Sequence, residues 1–287
     1  MDAETYRFKI GAFNCLAVSD GTFVYPAGMV FVNAPQKEYE AVLGERRLPL
    51  DKIETPYICL HLETGEHRVL LDTGAGKLAP TTGRLVKNLL SEGIDPETID
   101  TVILTHGHPD HIGGNLDSSG NLTFPNARYV MSREEWDFWT FNPDLSGLKC
   151  DDHLKQLLLQ YARDMLPPIR HQLDLIDGEG EILPGVRALA APGHTPGHIA
   201  LEISSQGEVL IDAVDAMLHP ILIDRLDWYS AVDLLPDKAL ASRRRLLERA
   251  AESGATLMAF HFPFPGLGRV RGTKMGFSYT LGAGNIW

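Results

Sequence analysis

The chain has few cysteines: Cys15, Cys59 and Cys150 are the three among 287 residues, far apart and in none of the paired spacings of zinc ribbons or disulfide frameworks. That scarcity points to reduced, structural thiols in a cytoplasmic protein. Cys59, within the apolar run Tyr57-Ile58-Cys59-Leu60, reads as core. Basic residues are also short, 26 Lys and Arg against 38 Asp and Glu, for a formal charge of −12. With no Lys/Arg stripe interleaved with aromatics, nucleic-acid binding lacks the phosphate-neutralising charge that supplies most of its affinity. The same charge argues against an anionic membrane surface. No apolar run approaches the roughly 20 residues of a membrane span. Residues 1 to 20, opening Met1-Asp2-Ala3-Glu4, have neither a basic start nor an apolar h-region, so no secretory signal is read there.

What is present suits a globular enzyme. A hydrophobic fraction of 44% is ordinary and can build a sizeable core. The first hundred residues alternate strand-like runs with turns, among them "PYICLHLETG" and "HRVLLDTGAG", joined by a hairpin turn at Glu63-Thr64-Gly65-Glu66. Leu85, Leu89 and Leu90 are expected on one face of a helix ending near Gly93. "IDTVILTH" then reads as a buried strand. A second cycle brings strand "ARYVMS", a helix from Ser132 with Glu134 and Glu135 in its first turn, and a helix through "DDHLKQLLLQYARDML" that Pro167-Pro168 stops. Strands resume through "GEVLIDAVD", followed by a helix from about Pro236 to Glu252 and strand "TLMAF". Both halves run strands, then helices, then return, which suggests two sheets packed face to face with helices outside. No low-complexity linker interrupts residues 1–287, so a single domain is expected. Arg243-Arg244-Arg245 reads as a solvated helix face with local ion pairs, and "EEWDFWTF" as a helix burying Trp136 with Trp139 or Phe138.

The chemistry concentrates in "THGHPDHIGG", residues 105–114, where three histidines and an aspartate fall within six positions. His106 and His108 alternate in an extended turn and can point to one side. Asp110 and His111 follow where Pro109 turns the chain, so they can serve a neighbouring position. Neutral imidazole and carboxylate suit Zn²⁺, and also Fe or Mn. Burying so many polar rings without a metal would leave donors and acceptors unpaired. Gly113-Gly114 would let the backbone pack beneath the site and begin the next helix.

The motif resembles the His-x-His-x-Asp-His signature of the metallo-β-lactamase superfamily, and the resemblance runs over nearly the whole chain: "LLDTG" with Asp72, "APGHTPGH" with His194, an aspartate after "EVLI", and His261 in "AFHFPFPG". It implies an α/β fold, a four-layer αββα sandwich with two mixed sheets face to face. It implies two divalent metal ions, zinc first, one held by His106, His108 and His194 and the other by Asp110, His111 and His261. Two carboxylates are candidates for the bridge between them. Asp212 directly follows the strand, whereas Asp215 opens an Asp-x-x-x-His-Pro pattern similar to a methyl parathion hydrolase-like branch, and Asp215 is favoured. Asp72 is expected to brace a ligand loop, and His198 to bond backbone. His219 is close enough to Asp215 to reach the pocket. His61, His67, His153 and His171 match no signature position.

By this resemblance, two metals roughly 3.5–4 Å apart would hold hydroxide at neutral pH as the nucleophile, with no serine or cysteine required. Asp110 is the best-placed group to carry a proton to the leaving oxygen. "FPNARYVMSREEWDFW" and "HFPFPGLGRV" are similar to segments of acyl-homoserine lactonases, other small-lactone hydrolases and methyl parathion hydrolase. The expected substrate is a small lactone or related ester, in a pocket rimmed by "YPAGMVFV", the Trp136 region and "MLHPILIDRLDWY". The family's lactonases often carry a tyrosine shortly after the bridging aspartate; here those positions hold no hydroxyl, and Tyr229 is the nearest substitute. The alternatives are a phosphotriester or aryl-ester hydrolase, or an iron oxidoreductase on the same fold. A glutathione thioesterase is disfavoured by the missing basic C-terminal extension, and an RNA-processing nuclease by the charge. The apolar stretch Met29-Val30-Phe31-Val32 could be a lid strand, a homodimer contact or both.

Overall fold

A computed structural model of the protein describes residues 4–274 and 276–282. Met1 to Ala3, part of the stretch read for a leader, and residues 283–287 of the glycine-rich end lie outside them. The first half of the chain lays seven strands side by side in chain order: β1 (Thr5–Ile10), β2 (Phe13–Pro26), β3 (Lys52–Glu63), β4 (Arg68–Leu71), β5 (Thr101–Leu104), β6 (Arg128–Ser132) and β7 (Leu173–Ile176). The second half does the same with β8 (Gly180–Leu183), β9 (Val186–Ala190), β10 (Ile199–Ser205), β11 (Glu208–Asp212), β12 (Thr256–Met258), β13 (Leu267–Thr273) and β14 (Gly276–Leu281). In the first sheet an antiparallel meander becomes parallel from β4 onward; in the second, only β11 and β12 are parallel. Both sheets are therefore mixed.

The period-2 alternation of strands explains the layers. On β3, Ile58, Leu60 and Leu62 turn inward to meet Leu201, Ile203 and Leu210 of the second sheet. Tyr57 and Cys59, on the opposite face, pack instead under helices α3 (Leu85–Ser91), α5 (Arg133–Phe141) and α6 (Asp152–Met165). The outer face of the second sheet, with Leu189, Ala200 and Ile211, is covered by Leu246, Leu247 and Ala250 of α8 (Pro236–Ser253). The result is the expected αββα sandwich.

The hairpin turn falls where the sequence placed it, with Glu63 paired to Arg68. Leu90, however, does not share the face of Leu85 and Leu89. It is 54% exposed, while the other two are buried. Five residues after Leu85, at 3.6 residues per turn, the helix has rotated well past its apolar stripe. Gly113-Gly114 begin no helix either. They close the one-turn helix α4 (Pro109–Ile112), and a Cβ on Gly114 would stand 2.0 Å from the Thr73 carbonyl oxygen. No helix among the described residues is long and apolar enough to cross a membrane.

Candidate metal centre

β5 hands the chain directly to the histidine motif. His108 is still extended, at φ −74° and ψ 153°, and Pro109 then starts α4, which turns Asp110 and His111 to a second position. The other contributors come from the second half: His194 after β9, Asp215 after β11 and His261 after β12. Two groups of potential ligand atoms result, His106, His108, His194 and Asp215 in one and Asp110, His111 and His261 in the other, with the ligand atoms of each within 4.8 Å of one another. All seven side chains are buried. Asp215 touches both groups: its Oδ2 lies 3.2 Å from His194 Nε2 and 3.2 Å from His261 Nε2, and its Oδ1 3.3 Å from His111 Nε2.

Local backbone geometry separates the two aspartates. Asp212 ends β11, and its Oδ1 accepts the Val214 N–H at 3.1 Å. Val214 has φ +47°, a conformation costly for a β-branched residue, and this turn presents Asp215 to the histidines. Asp212 thus braces the turn, and Asp215 occupies the centre.

Most of the imidazoles are held from behind, which fixes the nitrogen that faces inward. Asp72 Oδ2 accepts His111 Nδ1–H at 2.7 Å, while its two oxygens also take the Thr105 N–H and hydroxyl, each at 2.8 Å. Asp233 Oδ1 accepts His194 Nδ1–H at 2.9 Å, and the Pro56 carbonyl accepts His261 Nδ1–H at 3.0 Å. Each of these rings turns Nε2 to the centre. His198 gives Nδ1–H to the Ala191 carbonyl at 3.1 Å and accepts the Asp215 N–H on Nε2 at 3.3 Å, so it positions Asp215 from outside. His219 lies edge-on to Phe31, accepts the Ile221 N–H, and does not line the cavity above the centre.

Among the ligand atoms of the two groups, three buried ones, His106 Nε2, His111 Nε2 and Asp215 Oδ1, have no hydrogen-bond partner. Orphaned atoms of this kind are costly, and a cation there would satisfy them together. The donor set, imidazole plus carboxylate, fits a divalent ion of the zinc type. The electrostatics agree. Burial, reinforced by neighbouring rings, holds His106 and His108 well below the usual histidine range. Burial also opposes charge on His111, but Asp215, Asp72 and Asp110 outweigh it and push that ring up. These carboxylates call for positive charge, which either a proton or a metal ion can supply.

Three supporting residues escaped the sequence reading. Glu135, taken as a helix-first-turn acid, is fully buried. Its Oε1 accepts the Gly107 N–H at 2.9 Å and Trp139 Nε1–H at 2.6 Å; its Oε2 accepts the Thr195 hydroxyl at 2.7 Å and the Gly197 N–H at 2.9 Å. One carboxylate therefore ties the His106–His108 loop to the His194 loop. Glu135→Gln turns an amide NH₂ toward two of those donors and should cost about 2–4 kcal/mol, a fall in Tm on the order of 5–10 °C by thermal melt. Arg243, assigned to a solvated face, is 1% exposed. Its guanidinium donates to the carbonyls of Ala216 at 2.9 Å and Trp228 at 2.6 Å, joining the Asp215 turn to the loop that carries Asp233. Arg245 and Arg249 of that helix do pair on the surface, but with Glu179 and Glu202 from distant segments rather than with neighbours on the helix. Asp233 itself gave no signal, because nothing near it in sequence marks it as the partner of a histidine 39 residues away.

A cavity of about 190 Å³ opens onto both groups, with His108, Asp110, His194, Asp215 and His261 among its lining. Its walls are apolar: Met29 and Val30 from the N-terminal stretch and Leu218 after Asp215, as the sequence suggested, and Leu154, Leu157 and Leu158 of α6, which it did not. Trp136 and Tyr229 do not line it. Trp139 instead packs edge-on to His108, ring centroids 5.7 Å apart.

Comparison with known proteins places these features in context. The sequence model of the metallo-beta-lactamase superfamily matches residues 59–259. An N-acyl homoserine lactonase of Bacillus sp is 29% identical over 222 residues, covering 70% of this chain and 78% of that one. The structure of AidC, a dizinc quorum-quenching lactonase in complex with a product, superposes with a TM-score of 0.90 at 28% identity, covering 98% of both chains. The hydrolase AbOPH superposes at 0.89 over both whole chains with 24% identity, a likeness of fold.

Proposed function

The chain belongs to the metallo-β-lactamase superfamily and is a metal-dependent hydrolase, and from that premise we propose that it opens N-acyl homoserine lactones at a dinuclear, dizinc centre. His106, His108 and His194 would hold one ion and Asp110, His111 and His261 the other, with Asp215 between them. Two such ions supply a water acidic enough to ionise at neutral pH and a Lewis acid for the substrate carbonyl. The observation that carries the reading is the junction of Asp215 with both ligand groups beneath a cavity whose walls are apolar and include no lysine or arginine. A wall without cationic side chains favours a neutral substrate, and its leucines and Met29 suit an acyl chain.

The remaining work falls to the protein's own groups. Asp110 lines the cavity, its side chain 12% exposed, with Oδ2 3.4 Å from His261 Nε2. It takes the proton of the attacking water and delivers it to the ring oxygen as the carbonyl–oxygen bond breaks. Met29, Val30 and the α6 leucines exclude bulk water, which strengthens every charge interaction at the centre.

Proton release in a pH-stat, from zinc-loaded protein given N-hexanoyl homoserine lactone, an aryl ester and an aryl phosphotriester, tests the proposal. The lactone is expected to be opened with the highest kcat/KM. Preference for the phosphotriester would reassign the enzyme to that class, and iron in the purified protein with oxygen uptake would reassign it to oxidoreductases.

A further inference from the structure

Tyr25 and Tyr57 face each other across β2 and β3, their hydroxyl oxygens 2.6 Å apart. Tyr57 is fully enclosed and its ring stands edge-on to His261 at 5.3 Å, whereas Tyr25 lines the cavity with Asp110. Two hydroxyls share one contact, so one hydrogen is used in it and one is left over. Since the enclosed Tyr57 meets Tyr25 alone among the hydrogen bonds seen here, its hydrogen goes to Tyr25, and the Tyr25 hydrogen is free to turn into the cavity. The pair stands at one end of the centre, beside His261 and under the charge of Asp110 more than of Asp215.

We infer that the Tyr25 hydroxyl is a catalytic group that donates a hydrogen bond to the oxygen leaving the carbonyl carbon, at the Asp110 end of the cavity. This rests on the lactonase reading above and on Asp110 as the proton carrier. In the step, the water oxygen bonds to the carbonyl carbon and the bond from that carbon to the ring oxygen breaks, with its electron pair going to the ring oxygen. Asp110 returns to that oxygen the proton it took from the water. Tyr25 keeps its own proton, because burial and the nearby Asp110 charge push its phenol above the ordinary value of about 10, and it stabilises the negative charge while it develops. Tyr25 thus supplies the hydroxyl missing after Asp215, but from the opposite half of the chain and toward the leaving atom. Tyr57 is a positioning residue that aims it.

Comparing a lactone with the thiolactone of the same acyl chain provides the test. The two differ only in the leaving atom, and sulfur, a weak acceptor carrying a more stable anion, needs far less help from a donor. Tyr25→Phe should lower kcat on N-hexanoyl homoserine lactone on the order of 10²-fold, with KM changed much less. The loss on the thiolactone should be at least about tenfold smaller, because little hydrogen-bond stabilisation is there to lose. Tyr57→Phe should give the same oxygen-over-sulfur pattern at smaller size. Equal losses on the two substrates, an unchanged kcat on the lactone, or a loss that tracks departure of bound metal would overturn the assignment while leaving the lactonase reading intact. A wild-type protein that holds two metals and opens neither ring would sink both.

Discussion

Asp215→Ala should lower kcat/KM by a factor on the order of 10³ or more and remove bound metal, while Asp212→Asn keeps two metals per chain and most of the activity. The expectation follows from where each carboxylate points. Asp215 offers Oδ2 to His194 and His261 and Oδ1 to His111, so its loss leaves both ligand groups without their shared anion. The histidines would then confront one another in a buried space with Asp110, at one end, as the one ligand-group carboxylate left to offset a bound cation. Asp212 makes one visible contribution, accepting the Val214 N–H, and an asparagine oxygen can accept that bond too. Metal content by plasma emission and initial rates on one lactone decide the matter. Equal metal loss in the two variants would show that Asp212, not the turn it braces, shares the centre.

Asp110→Asn is the second large effect. A positioned general acid–base group contributes about 10²–10⁴-fold, so kcat should fall by that factor, with KM altered far less. The asparagine keeps an oxygen for coordination beside His111 and His261, so metal content should stay near the wild-type value. The discriminating result is the ratio of the two measurements. A fall in activity proportional to lost metal would make Asp110 a ligand only, and full activity would remove it from proton transfer. Both ligand-group carboxylates line the cavity, but Asp110 is the more open to it, with 12% of its side chain exposed against 3% for Asp215.

Much of this centre was legible in the residues alone because its chemistry is local. Three histidines and an aspartate in six positions can hardly be paired by backbone, and Pro109 fixes the point at which they divide between two directions. The fold class was also legible, since buried strands alternate on a period of two and each half runs strands, then helices, then strands again. A helical stripe was legible only approximately. Leu90 belongs to the same apolar run as Leu89 but one more residue of rotation carries it into solvent.

What the tertiary structure decided is everything that depends on partners distant in sequence. Glu135 and Arg243 look like ordinary surface charges of their helices, and they become buried clamps because loops from other parts of the chain bring Glu135 three donors, beside Trp139 of its own helix, and bring Arg243 two carbonyls. Asp233 is recognisable only once His194 lies beside it. The sequence pattern favoured Asp215 over Asp212, but how the turn carries Asp215 to the histidines, through the positive φ of Val214, was not legible there. Tyr25 and Tyr57 meet across the β2–β3 pairing that follows the register shift between Ser19 and Gly21, with Tyr57 opposite Gly21 and Tyr25 opposite Ile53. The sequence by itself determined the dense donor cluster of residues 106–111 and the layered order of strands and helices, because both follow from residue type and short-range period. Only the folded chain decided which nitrogen of each ring faces inward and which hydroxyl reaches the cavity, because a buried polar group takes its role from the partner that satisfies it.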